Sequence, residues 1–448
     1  MSEVANAVRA SMPSVRADLE QLVRIPSVAF DGFDHSHVRA GAEAVKQLFA
    51  DLGAEIQTIR HGDGQPSVVA KFPAPEGKPT VLLYAHQDVQ PPGDTANWDQ
   101  DDPYTVVERD GRLYGRGVAD DKAGVMAHVA ALRAFGGKPP VGVTVLIEGE
   151  EEVGSPTLDD LLAEHRDALR SDVVVIADST NWSTDVPGLT TTLRGVVNCY
   201  VEVKALKQAV HSGIFGGPIP DALTSLTRLL ATLHDAEGNV VVKGLAGQEK
   251  ATLDYDADQL RRESGMLDAT EFIGSGKLTD SLWHKPTATV LGFDGPRAAE
   301  AANALQPSAR AKVSFRISPA QTAAEAYEAI KAHFAENAEW GTEVTVVDEG
   351  GLGNPCSIDT DGPRFDIAKR AFAEAWGGTE TVELGIGGSI PMIATFQELF
   401  PEASILVTGV EDPQSQAHGP NESLDVEMFE RACVAEALLL EKLAAEES

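Results

Sequence analysis

Five short segments of this 448-residue chain place His and carboxylate side chains where they could hold metal ions. An apolar run from Thr80 to Ala85 leads into His86-Gln87-Asp88, and another from Val143 to Ile147 leads into Glu148-Gly149-Glu150-Glu151-Glu152. Asp172 to Ala177 leads into Asp178, and Ser404 to Thr408 leads into a loop ending His418-Gly419-Pro420-Asn421-Glu422. The fifth, GRGVADDK from Gly115 to Lys122, puts Asp120 and Asp121 at a helix start. Singly, each has an ordinary structural use: an Asp pair caps a helix, and an acidic triplet is a solvated face. Gathered together they require cations, because two carboxylates about 4 Å apart repel by roughly 4 kcal/mol at an effective dielectric near 20. Imidazole mixed with carboxylate suits zinc or manganese, whereas calcium takes oxygen alone. The chemistry expected is that of a two-metal hydrolytic centre.

Spacing refines the expectation. In an extended segment residues i and i+2 face the same way, so Asp88 is expected to accept the second ring N–H of His86 and fix its tautomer. Of Glu151 and Glu152, one should bind metal and the other stay free as a base, since adjacent residues cannot easily do the same job at one ion. Competing motifs are missing from the sequence. Gly115-x-Gly117 has Asp120 where a dinucleotide fingerprint needs its third glycine, and there is neither a GxxxxGK[ST] phosphate loop nor an HExxH helix. Ser212, in His211-Ser212-Gly213, lacks the GxSxG elbow of a serine hydrolase.

Such residues need elements to carry them to one place. The runs named above are apolar at nearly every position, as strands buried on both faces are, and helical patterns alternate with them at Val38 to Leu52, Lys122 to Phe135, Thr157 to Leu169, Phe365 to Trp376 and Val426 to Ala445. Ligands of open α/β sheets bind outside the carboxyl ends of the strands, which is where these His and acidic residues fall. Between the two halves the grammar changes. Val196 to Val203, Asp221 to Leu233, Thr287 to Leu291, Ala311 to Ile317, Thr322 to Asn337 and Glu343 to Val347 read as βαββαβ, interrupted by a polar insertion of undefined structure at about 238–285. EGGLGNPCSIDTDGP, Glu349 to Pro363, reads as a linker back. The fold expected is α/β: a discontinuous catalytic domain, 1–187 with 351–448, carrying an inserted ferredoxin-like α+β domain, 188–350.

Composition excludes several roles. Lys plus Arg is 36 against 69 for Asp plus Glu, a formal charge of −33 that repels nucleic acid and anionic lipid. No stretch approaches the roughly 18 apolar residues of a membrane span. The N-terminal segment breaks its apolar residues with charges at helical spacing, unlike a signal peptide. Three widely spaced cysteines, Cys199, Cys356 and Cys433, form no disulfide framework and fit a reducing cytoplasm.

The strings HQDVQP (His86 to Pro91), NWDQDDPY (Asn97 to Tyr104), LYGRGVADDKAG (Leu113 to Gly124), EGEEEVGS (Glu148 to Ser155), HSGIFGG (His211 to Gly217), GGSIP (Gly387 to Pro391) and HGPNE (His418 to Glu422) resemble, in order, the M20 metallopeptidases, in particular their dipeptidase branch. The resemblance implies a di-metal aminopeptidase-like catalytic domain, two ions that are zinc or in some members manganese, and a lid domain that also forms a homodimer. It implies that His86, Asp120 and Asp178 hold one metal and His418, Asp120 and Glu152 the other, with Asp120 bridging. Glu151 falls on the general base and Asp88 on the residue behind the first His. His211 falls on a lid His that reaches the partner subunit's site. Arg316, in KVSFRISP, and Ser389 fall on positions that contact the substrate carboxylate. The chain departs from the pattern at Ile386, where related dipeptidases often have Glu, and at Asp359 to Pro363. The activity implied is hydrolysis of dipeptides by a metal-activated water, the nearest alternative being deacylation of N-acyl amino acids or related amides.

Overall fold

The computed structural model describes residues 2–388 and 391–446. They form two compact units: one runs to Thr191 and takes in Ile358–Leu384 and the chain from Thr395, while the other comprises Thr192–Ser357 and Gly385–Ala394. The sequence places the end of the inserted domain at 350. Glu349 to Gly353, read as linker, instead prolong the strand Glu343–Gly353, whose ladder with Gly195–Lys204 resumes after an irregularity between Asp348 and Leu352.

In the first unit the strands Glu55–Ile59, Ser67–Phe72, Gly142–Glu148, Thr80–His86, Val173–Ile176 and Ser404–Val407 lie side by side in that order. The last four are mutually parallel, and the first two add antiparallel. Burial explains the continuous apolar runs: Val81 to Ala85 and Val173 to Ile176 are closed off from solvent on both faces. The helices Glu3–Val23, Lys122–Ala134, Pro363–Ala375 and Val426–Ala444 share one apolar core with this sheet through Leu19, Val129, Phe372 and Leu438. The pattern at Thr157 to Leu169 divides at His165 into Leu158–Glu164 and Arg166–Leu169.

In the second unit the strands Thr287–Asp294, Ser308–Ile317, Gly195–Lys204 and Glu343–Gly353 form an antiparallel sheet in that order. Helices Ala222–Ala231 and Ala323–Glu336 cover one face, where Val197, Cys199, Val313, Phe315, Leu226 and Phe334 make a separate core. This is the ferredoxin-like arrangement of a βαββαβ chain. The alternating burial along Gly195–Lys204 follows from it, since one face meets helices and the other does not. The insertion contains two short helices, Ala257–Glu263 and Leu278–Trp283. Among the described residues no helix is long and apolar enough to cross a membrane.

Candidate metal centre

Parallel pairing brings the ligand-bearing segments together. His86 is the last residue of its strand and lies in register with Glu148, so the two loops that follow start side by side. Asp178 leaves the adjacent strand two residues past Ile176, and the backbone of Glu411, after Ser404–Val407, hydrogen-bonds to Ser179 O at 3.3 Å. Asp120 sits just before the helix Lys122–Ala134, across a cis peptide bond to Asp121.

Two groups of side chains result, each with ligand atoms within 4.8 Å of one another: His86, Asp120 and Asp178, and Asp120, Glu152 and His418. Asp120 belongs to both. Its Oδ1 lies 3.2 Å from His86 Nε2 and its Oδ2 lies 3.0 Å from His418 Nε2, so its two oxygens face two different imidazoles. Asp178 Oδ1 is 3.9 Å from His86 Nε2, and Glu152 Oε2 is 3.4 Å from His418 Nε2. One nitrogen and two carboxylates on each side is a donor set that leaves coordination positions open, as catalytic zinc sites require. Glu152 Oε1 is buried without a hydrogen-bond partner, an orphaned acceptor that a cation would satisfy. The residues present therefore fit a pair of divalent ions.

Electrostatics point the same way. Burial first, and then the charge of Asp178, push Glu151 well above the ordinary carboxylate range, while burial and Asp120 do the same to Glu152. Asp178 is raised to about 6, again chiefly by burial. Asp120 is the exception: burial would raise it, but hydrogen bonds from His418 and His86 prevail and hold it low. His86 is raised correspondingly, its burial outweighed by Asp120 and Asp88. Carboxylates crowded until they resist ionisation are a site lacking positive charge.

The acidic run divides its tasks more finely than its sequence shows. Glu148 accepts from the Tyr84 hydroxyl at 2.5 Å, and burial raises it to about 8. Glu150 is a clasp, accepting from Gln65 N at 2.8 Å and from Thr157 N at 3.0 Å and its hydroxyl. Glu152 faces His418 and accepts from Gln90 Nε2 at 2.6 Å. Glu151 alone has a carboxylate with no hydrogen-bond partner among the described residues, although its N–H is held.

Asp88 differs from the expectation. The Nδ1 of His86 lies 3.1 Å from the backbone carbonyl of Asp88 and 3.5 Å from its carboxylate. That carboxylate accepts instead from the N–H groups of Glu151 and Glu152, both at 3.1 Å. Asp88 therefore meets the His86 ring with its carbonyl and, at longer range, its carboxylate, and the same carboxylate orients the acidic run at the start of its 3-10 turn.

His211 and Arg316 belong to the second unit. His211 is exposed and pairs with Ala304 in a two-residue ladder, and its Nδ1 accepts from Gly213 N at 3.0 Å. With Nδ1 an acceptor, the ring proton of the neutral form resides on Nε2. Arg316 is half-buried near the end of Ser308–Ile317. Ser389 lies outside the described residues.

Sequence reading gave no role to the residues that brace the centre. Asp121 Oδ2 accepts from His86 N at 3.2 Å. Glu411 stands beside Asp120 and Asp178, where burial and their charges raise its carboxyl. Glu422, fully buried, accepts from Arg116 Nη1 at 2.8 Å and from the N–H groups of Gly117, Ala119 and Asp120 at 2.8, 2.9 and 3.0 Å. Its signal lay in the HGPNE string, but its partner is 306 residues away. Removing one member of a buried ion pair costs about 3–5 kcal/mol, because the other charge stays desolvated. Glu422→Gln should accordingly lower the thermal unfolding midpoint of the metal-free protein by several degrees; an unchanged midpoint would show that Arg116 finds another partner.

The sequence profile of peptidase family M20/M25/M40 matches residues 82–442. A cysteinylglycine-S-conjugate dipeptidase of Corynebacterium striatum is 34% identical over 413 residues, 90% of each chain. A Beta-Ala-His dipeptidase of Rattus norvegicus is 30% identical over 407 residues, covering 84% of this chain and 81% of that one. The structure of human carnosine dipeptidase 1 superposes with a TM-score of 0.80 at 25% identity, over 99% of this chain and 98% of that one. The matched span opens inside the strand that carries His86 and closes inside the last helix, beyond His418, so every segment of the centre falls within it, and the chain belongs to peptidase family M20/M25/M40.

Proposed function

We propose that this protein is a dipeptidase working with two divalent cations, zinc or manganese. His86, Asp120 and Asp178 would hold one ion and His418, Asp120 and Glu152 the other. The observation that carries the reading is the pair of Asp120 oxygens facing two imidazoles from distant segments, with Glu151, whose carboxylate has no hydrogen-bond partner among the described residues, alongside. When bound, the cations supply Lewis acidity to the scissile carbonyl and to water. Glu151 takes the proton of the attacking water on a carboxylate oxygen and returns it to the leaving amine. Asp88 keeps Glu151 and Glu152 apart in their tasks by holding both backbone N–H groups.

The second unit supplies substrate recognition in this reading. Arg316 pairs with the C-terminal carboxylate, Ser389 assists it, and the Nε2–H of His211 donates to the oxyanion in the site of a partner subunit of a homodimer. A dipeptide is favoured over an N-acyl amino acid because the relatives matched over most of their length are dipeptidases. Three buried cysteines and the acidic surface agree with a cytoplasmic enzyme.

Exhaustive chelation should abolish hydrolysis of dipeptides, and zinc or manganese should restore it. Full activity in protein shown metal-free by elemental analysis would end the two-metal reading. Turnover of N-acetyl amino acids at the expense of free dipeptides would move the assignment to amide deacylation.

A further inference from the structure

Arg194, buried, and Arg316, half-buried, are cations of the second unit that meet no carboxylate among the described residues. Arg316 lies opposite Val196 in the ladder between Ser308–Ile317 and Gly195–Lys204. Arg194 precedes Val196 by two residues, which puts it on the same face and diagonal to Arg316, within reach for long side chains. Arg194 is only 7% exposed. Its Nη1 donates to Ser281 O at 3.2 Å and Lys285 O at 3.3 Å, while its Nε is buried with no acceptor among the described residues. Its Nη2 also lacks an acceptor among the described residues, and a methyl group at Gly387 would sit 2.8 Å from that nitrogen, so the glycine leaves room there that a side chain would fill. Asp280, in the segment that Arg194 holds, accepts from Lys250 N, Ala251 N and His284 Nδ1 instead. Burial, and after it the charge of Arg316, lower Arg194 to about 10, so its guanidinium keeps its charge at neutral pH and repels that of Arg316.

An Nε/Nη2 edge without acceptors is a fork of two parallel donors, the geometry that matches a carboxylate bidentately. We propose that Arg194 and Arg316 together bind one carboxylate, the free C-terminal carboxylate of the peptide, with Arg194 as a specificity-determining residue. The proposal rests on the dipeptidase reading and goes beyond it in giving the anion two cations. It accounts for a buried arginine that spends one nitrogen on backbone carbonyls and leaves its other edge without an acceptor among the described residues.

The test compares Ala-Gly with Ala-Gly amide as substrates of the metal-loaded enzyme. Arg194→Met, which keeps the stem and removes the charge, should raise KM for Ala-Gly about tenfold or more and leave KM for the amide and both kcat values nearly unchanged. Arg194→Lys keeps a charge but loses the fork, and should raise KM for Ala-Gly about threefold. Added to Arg316→Ala, Arg194→Met should cost much less than it does alone, because residues sharing one ligand are not additive. Equal losses on both substrates would make Arg194 structural and overturn the proposal. Should Arg194→Met fail to fold, a wild-type KM ratio in Arg194→Lys would overturn it as well. Wild-type enzyme that turns over neither peptide removes the dipeptidase reading together with this proposal. Wild-type discrimination that survives both Arg194 variants and vanishes in Arg316→Ala overturns this proposal alone.

Discussion

Glu151→Gln is expected to retain both metal ions and to lose about 10²- to 10⁴-fold in kcat, the range that general acid-base catalysis contributes. The substitution keeps the size of the side chain and removes only its ability to take a proton. Nothing in the surroundings should collapse, because the Glu151 carboxylate has no hydrogen-bond partner among the described residues and its N–H to Asp88 Oδ1, at 3.1 Å, is a backbone bond that Gln preserves. Glu152→Gln should behave oppositely. Glu152 Oε2 lies 3.4 Å from His418 Nε2, and its charge is one of three, with Asp120 and Asp178, that would face the cations. Neutralising it should therefore release metal, and added metal should restore part of the activity. Elemental analysis and single-turnover rates on the two variants decide the assignment. A metal-free Glu151→Gln beside a loaded but slow Glu152→Gln would exchange the two roles.

The contrast between these neighbours shows where the sequence could be read and where it could not. Val81 to Ala85 and Val173 to Ile176 were legible as strands because both faces are buried, so every position is apolar. Glu55–Ile59 was not, since its pattern is mostly solvent-facing with a single buried residue, Ile59. Ser67–Phe72 carries Lys71 within a short run and shows no clean alternation. The candidate ligands stand on segments that leave strand ends or enter a helix, where open sheets place ligands: His86 ends its strand, Asp178 and Glu152 lie two and four residues past theirs and Asp120 two before a helix, whereas His418 lies eleven residues past Val407. Their supports were not legible. Glu422 matters through Arg116, and Glu411 through Asp120 and Asp178, contacts made only when segments about 230 to 300 residues apart meet, so no local spacing announces them. Asp88 does more than its spacing announces for a related reason: its i+2 relation to His86 is visible in the sequence, and the two side chains lie 3.5 Å apart, but the N–H groups of Glu151 and Glu152 that also hold its carboxylate are 63 and 64 residues away.

Homodimers of His211→Ala and of Glu151→Gln should each be nearly inactive, yet a mixture unfolded together and refolded should regain about a quarter of wild-type activity. The expectation follows from a site that takes Glu151 from one subunit and His211 from the other. If half the dimers are mixed and each has one competent site of two, a quarter is the statistical yield. Loss of a single oxyanion donor costs about 10²- to 10³-fold in kcat, so the parent variants leave a low background. The local geometry suits the task. Gly213 N occupies Nδ1 of His211 at 3.0 Å, so the imidazole is oriented by its own turn and its Nε2–H is the donor that remains. The ring is exposed, as are Ile214 at 72% and Phe215 at 47% just beyond it, an apolar surface that a monomer has no evident reason to display. A His that merely orders this turn would behave differently: His211→Ala would then lower stability, and mixing with Glu151→Gln would restore nothing. No recovery, with subunit exchange verified by mass, would confine each active site to one chain. Recovery would fix both the dimer and the atom through which one subunit completes the other.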